Sequence, residues 1–320
     1  MWFKNIHVFV LKEKLDWTLE SLEDQLGAAR FLPCSSIEPK AEGWVAPGVE
    51  AEGPMVYCAN NYWLLARKTE QKLIPASVLN EKLKEAVEIR EAKESKKLRK
   101  KEKESLKDEI YHTLVTQAFS QSHVTFGYID TQRNWVVVNA SSRKKAEEFC
   151  SAIRTTLGSF KVEMPSLQSI SGVMTEWLKA QQCPESLIIE DQCMIEDTKE
   201  GGSLKIAKQN LLADEILNFI DHGREVVQMR FGFRNEIAFS LKDDFSLKTL
   251  KFLEGVHDRA SDLFTETAAD RFDADFTLMT ETLTELIGFL MKVFAIAEAG
   301  SEKSGEIKSG DIKQPELETA

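Results

Sequence analysis

Cysteine is scarce and irregularly placed. The five are Cys34, Cys58, Cys150, Cys183 and Cys193. Their number is odd, their spacings are wide and no CxxC occurs, which fits reduced thiols and argues against a disulfide framework. Histidine is as sparse (His7, His112, His123, His222, His257). Neither HExxH nor any Cys/His ligand spacing is present, so a structural zinc site is not expected. No P-loop, GxGxxG after a strand or GxSxG appears, and the missing nucleotide loop argues against a motor or helicase. No run of 18 apolar residues exists, so no helix is expected to span a membrane. The N-terminal apolar stretch contains Lys4, Asn5 and His7 and lacks a small-residue cleavage site. It is expected to be a strand rather than a signal peptide, in a cytoplasmic protein.

What is present is an ordinary globular composition with one anomaly. The 320 residues suit two or three domains, with 42% hydrophobic and 29% charged residues and 18 Phe and 6 Trp for core building. The net charge is −11, yet between Arg90 and Lys103 the sign reverses. Eight basic residues (Arg90, Lys93, Lys96, Lys97, Arg99, Lys100, Lys101, Lys103) face three acids, Glu91, Glu94 and Glu102. The window is +5 and the rest of the chain −16. A positive block on a negative protein points to a polyanion partner, since charges more than about 10 Å away are largely screened.

The spacing of apolar residues predicts a mixed α and β chain. Trp2–Leu11 is expected as a buried strand, 19–26 as a helix ending at Gly27, and Met55–Lys68 as one or two strands. Pro75-Ala76-Ser77 opens a helix with Ser77 as a candidate N-cap. Its stripe of Leu79, Leu83, Ala86 and Val87 then thins, leaving Leu98 alone between Ala92 and Leu106, so this part should project into solvent. Ser105-Leu106-Lys107-Asp108 resembles a capping box opening a second helix, with Leu106, Ile110 and Leu114 on its buried side. The two helices make an antiparallel finger with a basic tip, roughly 30 Å long. Val124–Ile129 and Trp135–Val138 should be paired strands, and Ser142–Leu157 a helix stopped near Gly158. Pro165 and Gly172 mark a boundary. Strands follow over 186–190, 203–208, 226–233, 236–241 and 246–252, with a helix over 213–222. Val227, Met229, Phe231 and Phe233 alternate as in a half-buried antiparallel strand. A last helix is expected over 264–297, then a disordered tail over 300–320. The resulting division is a central α+β unit (1–75 with 119–165), a basic helical finger (76–118), an α+β base (166–299) and the acidic tail.

Four features bear on function. Lys and Arg on the finger can neutralise phosphates without reading bases, and the excess of Lys suits nonspecific attraction; the alternative is a merely solvated hairpin. Phe119, just past the finger, is either a core residue or an exposed interface anchor. Lys205–Asn210 is either a solvated strand face or a second contact patch. Asp270, Asp273 and Asp275 could hold Mg²⁺ for phosphodiester cleavage, or serve the start of a helix. A metal-dependent nuclease and an RNA-associated basic-hairpin protein are the alternatives to a DNA-binding protein.

Several segments match one family in the same order along the chain: Trp2-Phe3-Lys4-Asn5, Phe31-Leu32-Pro33-Cys34, Gly43-Trp44-Val45-Ala46-Pro47, Ala66-Arg67-Lys68, Lys103–Glu109, Ala118-Phe119-Ser120, Thr175-Glu176-Trp177, Ser246-Leu247-Lys248 and Arg271–Phe276. On these the chain resembles the recombination-associated RdgC proteins of proteobacteria, from residue 2 to about 295. The resemblance implies an α+β, horseshoe-shaped subunit that pairs into a ring-shaped homodimer around double-stranded DNA. It implies binding of duplex, and also single-stranded, DNA with little sequence preference. It further implies limitation of RecA-dependent recombination, association with the nucleoid, no cofactor and no catalysis. It places Phe119, Lys208 and Gln209 at subunit contacts. Asn210 and the tail to Ala320 depart from the family pattern, leaving details of the second contact open.

Overall fold

Strands rich in β-branched and aromatic residues build one long antiparallel sheet, and amphipathic helices cover it. The computed structural model describes residues 1–296 apart from 14, 16, 198–200, 212, 221–222 and 263–265. The expected tail at 300–320 lies outside the described residues. In chain order the elements are β1 (Ile6–Leu11), α1 (Leu19–Ala28), β2 (Lys40–Val45), β3 (Tyr57–Ala59), β4 (Tyr62–Lys72), α2 (Ala76–Glu94), α3 (Lys100–Gln117), β5 (Ser120–Asp130), β6 (Trp135–Asn139), α4 (Arg143–Leu157), β7 (Val162–Glu163) and α5 (Ile170–Ala180). They continue with β8 (Leu187–Asp197), β9 (Ser203–Ala207), α6 (Asp214–Ile220), β10 (Arg224–Phe233), β11 (Ile237–Lys242), β12 (Leu247–Phe252), α7 (Glu254–Asp262) and α8 (Ala268–Val293). The fold is α+β. The strands run β2-β4-β5-β6-β1-β12-β11-β10-β8-β9, with β3 added at β4 and β7 at β1.

The central strands are buried on both faces, and adjacent residues serve opposite cores. Ile6, Val8, Leu64, Tyr128 and Val137 join one core with α5, α8 and the strands from β8 to β12. Phe9, Leu11, Leu65, Ile129, Val136 and Val138 join the other, under α1 and α4. Helix α8 ties the halves together. Its Asp275 pairs with the Met1 ammonium at 2.8 Å, its Asp273 accepts the Tyr57 hydroxyl at 2.6 Å, and Thr284 Oγ1 lies 3.0 Å from the Tyr62 hydroxyl. At the seam, β1 and β12 share one register pair, Ile6 with Leu247.

Helix α4 follows its sequence signals: Ser142 caps Lys145 N–H, and Gly158 closes it at φ 77°, a conformation glycine adopts without cost. Several boundaries move. The first strand begins at Ile6, because residues before it turn towards α8. Gly172 marks no break; it sits in the first turn of α5, capped by Ser169. The expected last helix is the shorter α8, its start set by a reciprocal capping box between Thr267 and Asp270, and a separate helix, α7, precedes it. In β10 the inward residues are Val226, Met229, Phe231 and Phe233 rather than Val227, because a bulge between Val226 and Gln228 adds a residue and shifts the phase.

Candidate nucleic-acid interface

The basic stretch folds as the hairpin of α2 and α3. Each helix packs mainly on the other. α2 has no buried residue; Leu79, Leu83, Ala86 and Val87 are half-buried against α3. Leu98, Leu106 and Val115 are buried and belong to neither main core, so the hairpin has its own small apolar contact. α2 is about 28 Å long at 1.5 Å per residue. A helix pair with so little apolar surface must project into solvent.

The capping differs from the sequence expectation at both ends. Pro75, not Ser77, is the N-cap of α2. α3 begins at Lys100 rather than at Ser105. The Glu102 carboxylate accepts the Arg99 backbone N–H at 2.6 Å, an N-terminal bond available five residues earlier. Ser95 turns the chain in the left-handed region at φ 49°, and Glu91 accepts the Leu98 N–H at 2.9 Å. The tip is therefore the short loop 95–99. Both carboxylates are held below the usual range, chiefly by these backbone hydrogen bonds.

All eight predicted cations are exposed. Arg90 pairs with Glu94 at 3.1 Å, Lys103 with Glu91 at 3.3 Å and Lys96 with Glu102 at 3.8 Å. Among the described residues, Lys93, Lys97, Arg99, Lys100 and Lys101 form no ion pair. Glu91 and Glu102 are thus occupied in shaping the turn, and the tip keeps uncompensated positive charge. Flexible exposed lysines around a short loop can follow a phosphate backbone but hold no fixed geometry for base edges.

Phe119 lies at the other end of α3, about 27 Å from the tip along 18 residues. It is 87% exposed, so the core reading is corrected. Its carbonyl accepts the Leu73 N–H at 2.8 Å, and Leu73 is itself half exposed. Lys208 and Gln209 are also exposed and follow β9, the outer strand at the opposite end of the sheet. Lys208 has φ 57°, which ends the strand, so Lys205 and Lys208 do not share one strand face. Seven strand spacings separate β5 from β9, about 34 Å. One subunit therefore does not bring Phe119 together with Lys208 and Gln209.

The three aspartates do not converge. Asp270 caps α8, Asp273 holds Tyr57 and Asp275 holds the Met1 ammonium. Among the described residues no group of His, Cys, Asp and Glu is arranged for a metal ion, and no helix is long and apolar enough to cross a membrane.

A second cationic place, at the β1–β12 seam, carries no mark in the sequence. Lys248 Nζ lies 2.8 Å from His7 Nε2 and 3.1 Å from the Ser141 carbonyl oxygen. An ammonium donates, so Nε2 accepts and the ring proton sits on Nδ1, which is buried without a partner. Burial, then the Lys248 charge, pushes His7 down to about 4. Burial also lowers Lys248. Burial alone would raise Asp244, but hydrogen bonds from Ser246 bring it below the ordinary value. His7 and Lys248 are 241 residues apart, so only strand pairing could have revealed the contact.

Comparison with known proteins agrees with the segment matches. The family described as "Putative exonuclease, RdgC" matches residues 1–297. The recombination-associated protein RdgC of Aeromonas hydrophila is 36% identical, over 95% of this chain and 100% of that protein. Those of Proteus mirabilis and Serratia proteamaculans are 34% and 35% identical, over 92% and 90% of this chain and 98% and 95% of theirs. A match of this length, together with an α+β fold whose helical finger carries the basic stretch, places the chain in the RdgC family of recombination-associated proteins.

Proposed function

We propose that the protein binds double-stranded DNA through its backbone, without sequence preference, as a closed homodimer that limits RecA-dependent recombination. The observation that carries this reading is the projecting finger, whose tip holds cations with no carboxylate partner. Counterion release on phosphate contact supplies the affinity, so an acidic protein can bind a polyanion through one local field. The exposed Phe119 and the exposed Lys208–Gln209 bend supply two separate surfaces for self-association. Two contacts at strands seven spacings apart in one sheet let a two-fold pair meet at two places and enclose a space rather than meet at one patch. Enclosure lengthens residence without base contacts. In the cell this reading places the protein on the nucleoid.

The test is a titration of a random-sequence duplex across a salt series, with Mg²⁺ and with EDTA, and with structured RNA as competitor. Salt-steep, sequence-indifferent binding with intact DNA supports the proposal. Mg²⁺-dependent loss of the duplex would assign the exonuclease activity that the family description names. Preferential displacement by RNA would move the finger to an RNA partner.

A further inference from the structure

β1 and β12 part company just past their single register pair. The Leu250 amide still reaches the Lys4 carbonyl at 2.9 Å, and beside it lies a groove lined by residues 2–4, the end of β12 and α7. The groove has a volume of about 810 Å³, within the ~300–1,000 Å³ of small-ligand pockets. Its wall carries the half-buried Trp2 and the exposed His257, with the Trp2 ring 4.6 Å from the His257 ring and 4.6 Å from that of Phe252, which is buried behind it. Lys4 and Lys251 line it with exposed side chains, and among the described residues neither forms an ion pair. Glu254 and Asp258 line its α7 side.

We infer that this groove is a subsite for one unpaired nucleotide of a single DNA strand, distinct from the finger. Aromatic rings accept a base of any identity by stacking, and each stacked base contributes about 1–3 kcal/mol. Lys4 and Lys251 attract the phosphate, whereas Glu254 and Asp258 repel it and can accept hydrogen bonds from exocyclic amino groups. The phosphate therefore takes the lysine side and the base the aromatic wall. The inference rests on the DNA-binding reading but uses different residues, so the two can fail separately.

The full-length protein, Trp2→Ala and Lys251→Glu are titrated against a fluorescent single strand of mixed sequence and against its duplex. Both variants should weaken single-strand binding about fivefold or more, the lower end for one stacked base, and change duplex affinity less than twofold. Lys251 is exposed, so its variant tests the site even if Trp2→Ala is unstable. Equal weakening of both ligands, or none, overturns the inference. A strand carrying a photoreactive uracil should attach within residues 2–5 or 251–258; attachment to the finger alone overturns it. Displacement of the strand by an equal concentration of a deoxynucleoside monophosphate would assign a free nucleotide and also overturn it. Absence of duplex binding by the unaltered protein sinks the duplex reading, while groove-dependent single-strand binding would leave the subsite standing.

Discussion

Reversing four charges at the finger tip isolates the proposed electrostatics. Lys96, Lys97, Lys100 and Lys101 are exposed, and only Lys96 has an ion pair, a loose one at 3.8 Å. Changing all four to Glu should leave the hairpin folded. Lys100 and Lys101 occupy the first turn of α3, where acids are favoured by the helix dipole, and Glu102 keeps its bond to the Arg99 N–H. Each neutralised phosphate contributes about −0.9 to the slope of log affinity against log salt. If each lysine meets one phosphate, the variant's slope is shallower by about 3.6 per finger, a difference of about 150-fold in affinity over a fourfold rise in salt. Fluorescence anisotropy with a random duplex at several salt concentrations reads this directly, with circular dichroism as the folding control. A folded variant with an unchanged slope would refute the reasoning and remove the finger from DNA binding.

Three further outcomes are expected. Phe119→Ala should weaken self-association by about tenfold or more in analytical ultracentrifugation, with unfolding stability held within about 0.5 kcal/mol because the ring is exposed; a large stability loss with an unaltered dimer would show that the ring packs. His7 is held down at about 4 in the folded state against about 6.5 unfolded, so the unfolded chain binds more protons between these values. The stability from a neutral His7 is full above pH 6.5 and is lost as pH falls towards 4, by about 2–3 kcal/mol in urea unfolding; the same pH profile in His7→Leu would assign the loss to other groups. Gly43→Ala should destabilise by about 3 kcal/mol or more, because a Cβ there would sit 2.3 Å from Phe31 Cα, which is backbone and is fixed by the 2.8 Å bond from Phe31 N–H to the Trp44 carbonyl; urea midpoints of wild type and variant that coincide would count against that packing.

Local physics determined a large part of this protein from the sequence alone. The Ser142–Leu157 pattern and its Gly158 stop defined α4, apolar runs between turn signals placed β5, β6, β11 and β12, and the dense charge of 90–103 required an exposed basic hairpin, because a helix without apolar residues has nothing to bury. Ordered segment matches carried the family. The start of α3 was misplaced: Ser105–Asp108 has capping chemistry, but the turn at Ser95 and the bond from the Arg99 N–H to the Glu102 carboxylate start the helix five residues earlier. Phe119 stayed open, because a phenylalanine beside a helix end carries no mark of which way it faces. Tertiary structure alone decided that the strands join into one sheet, that Asp270, Asp273 and Asp275 go to three separate partners, and that His7 meets Lys248 at a seam beside the Trp2 groove. These are contacts between segments more than 200 residues apart, apart from the Asp270 cap, and they depend on strand order and register, which local propensity does not encode.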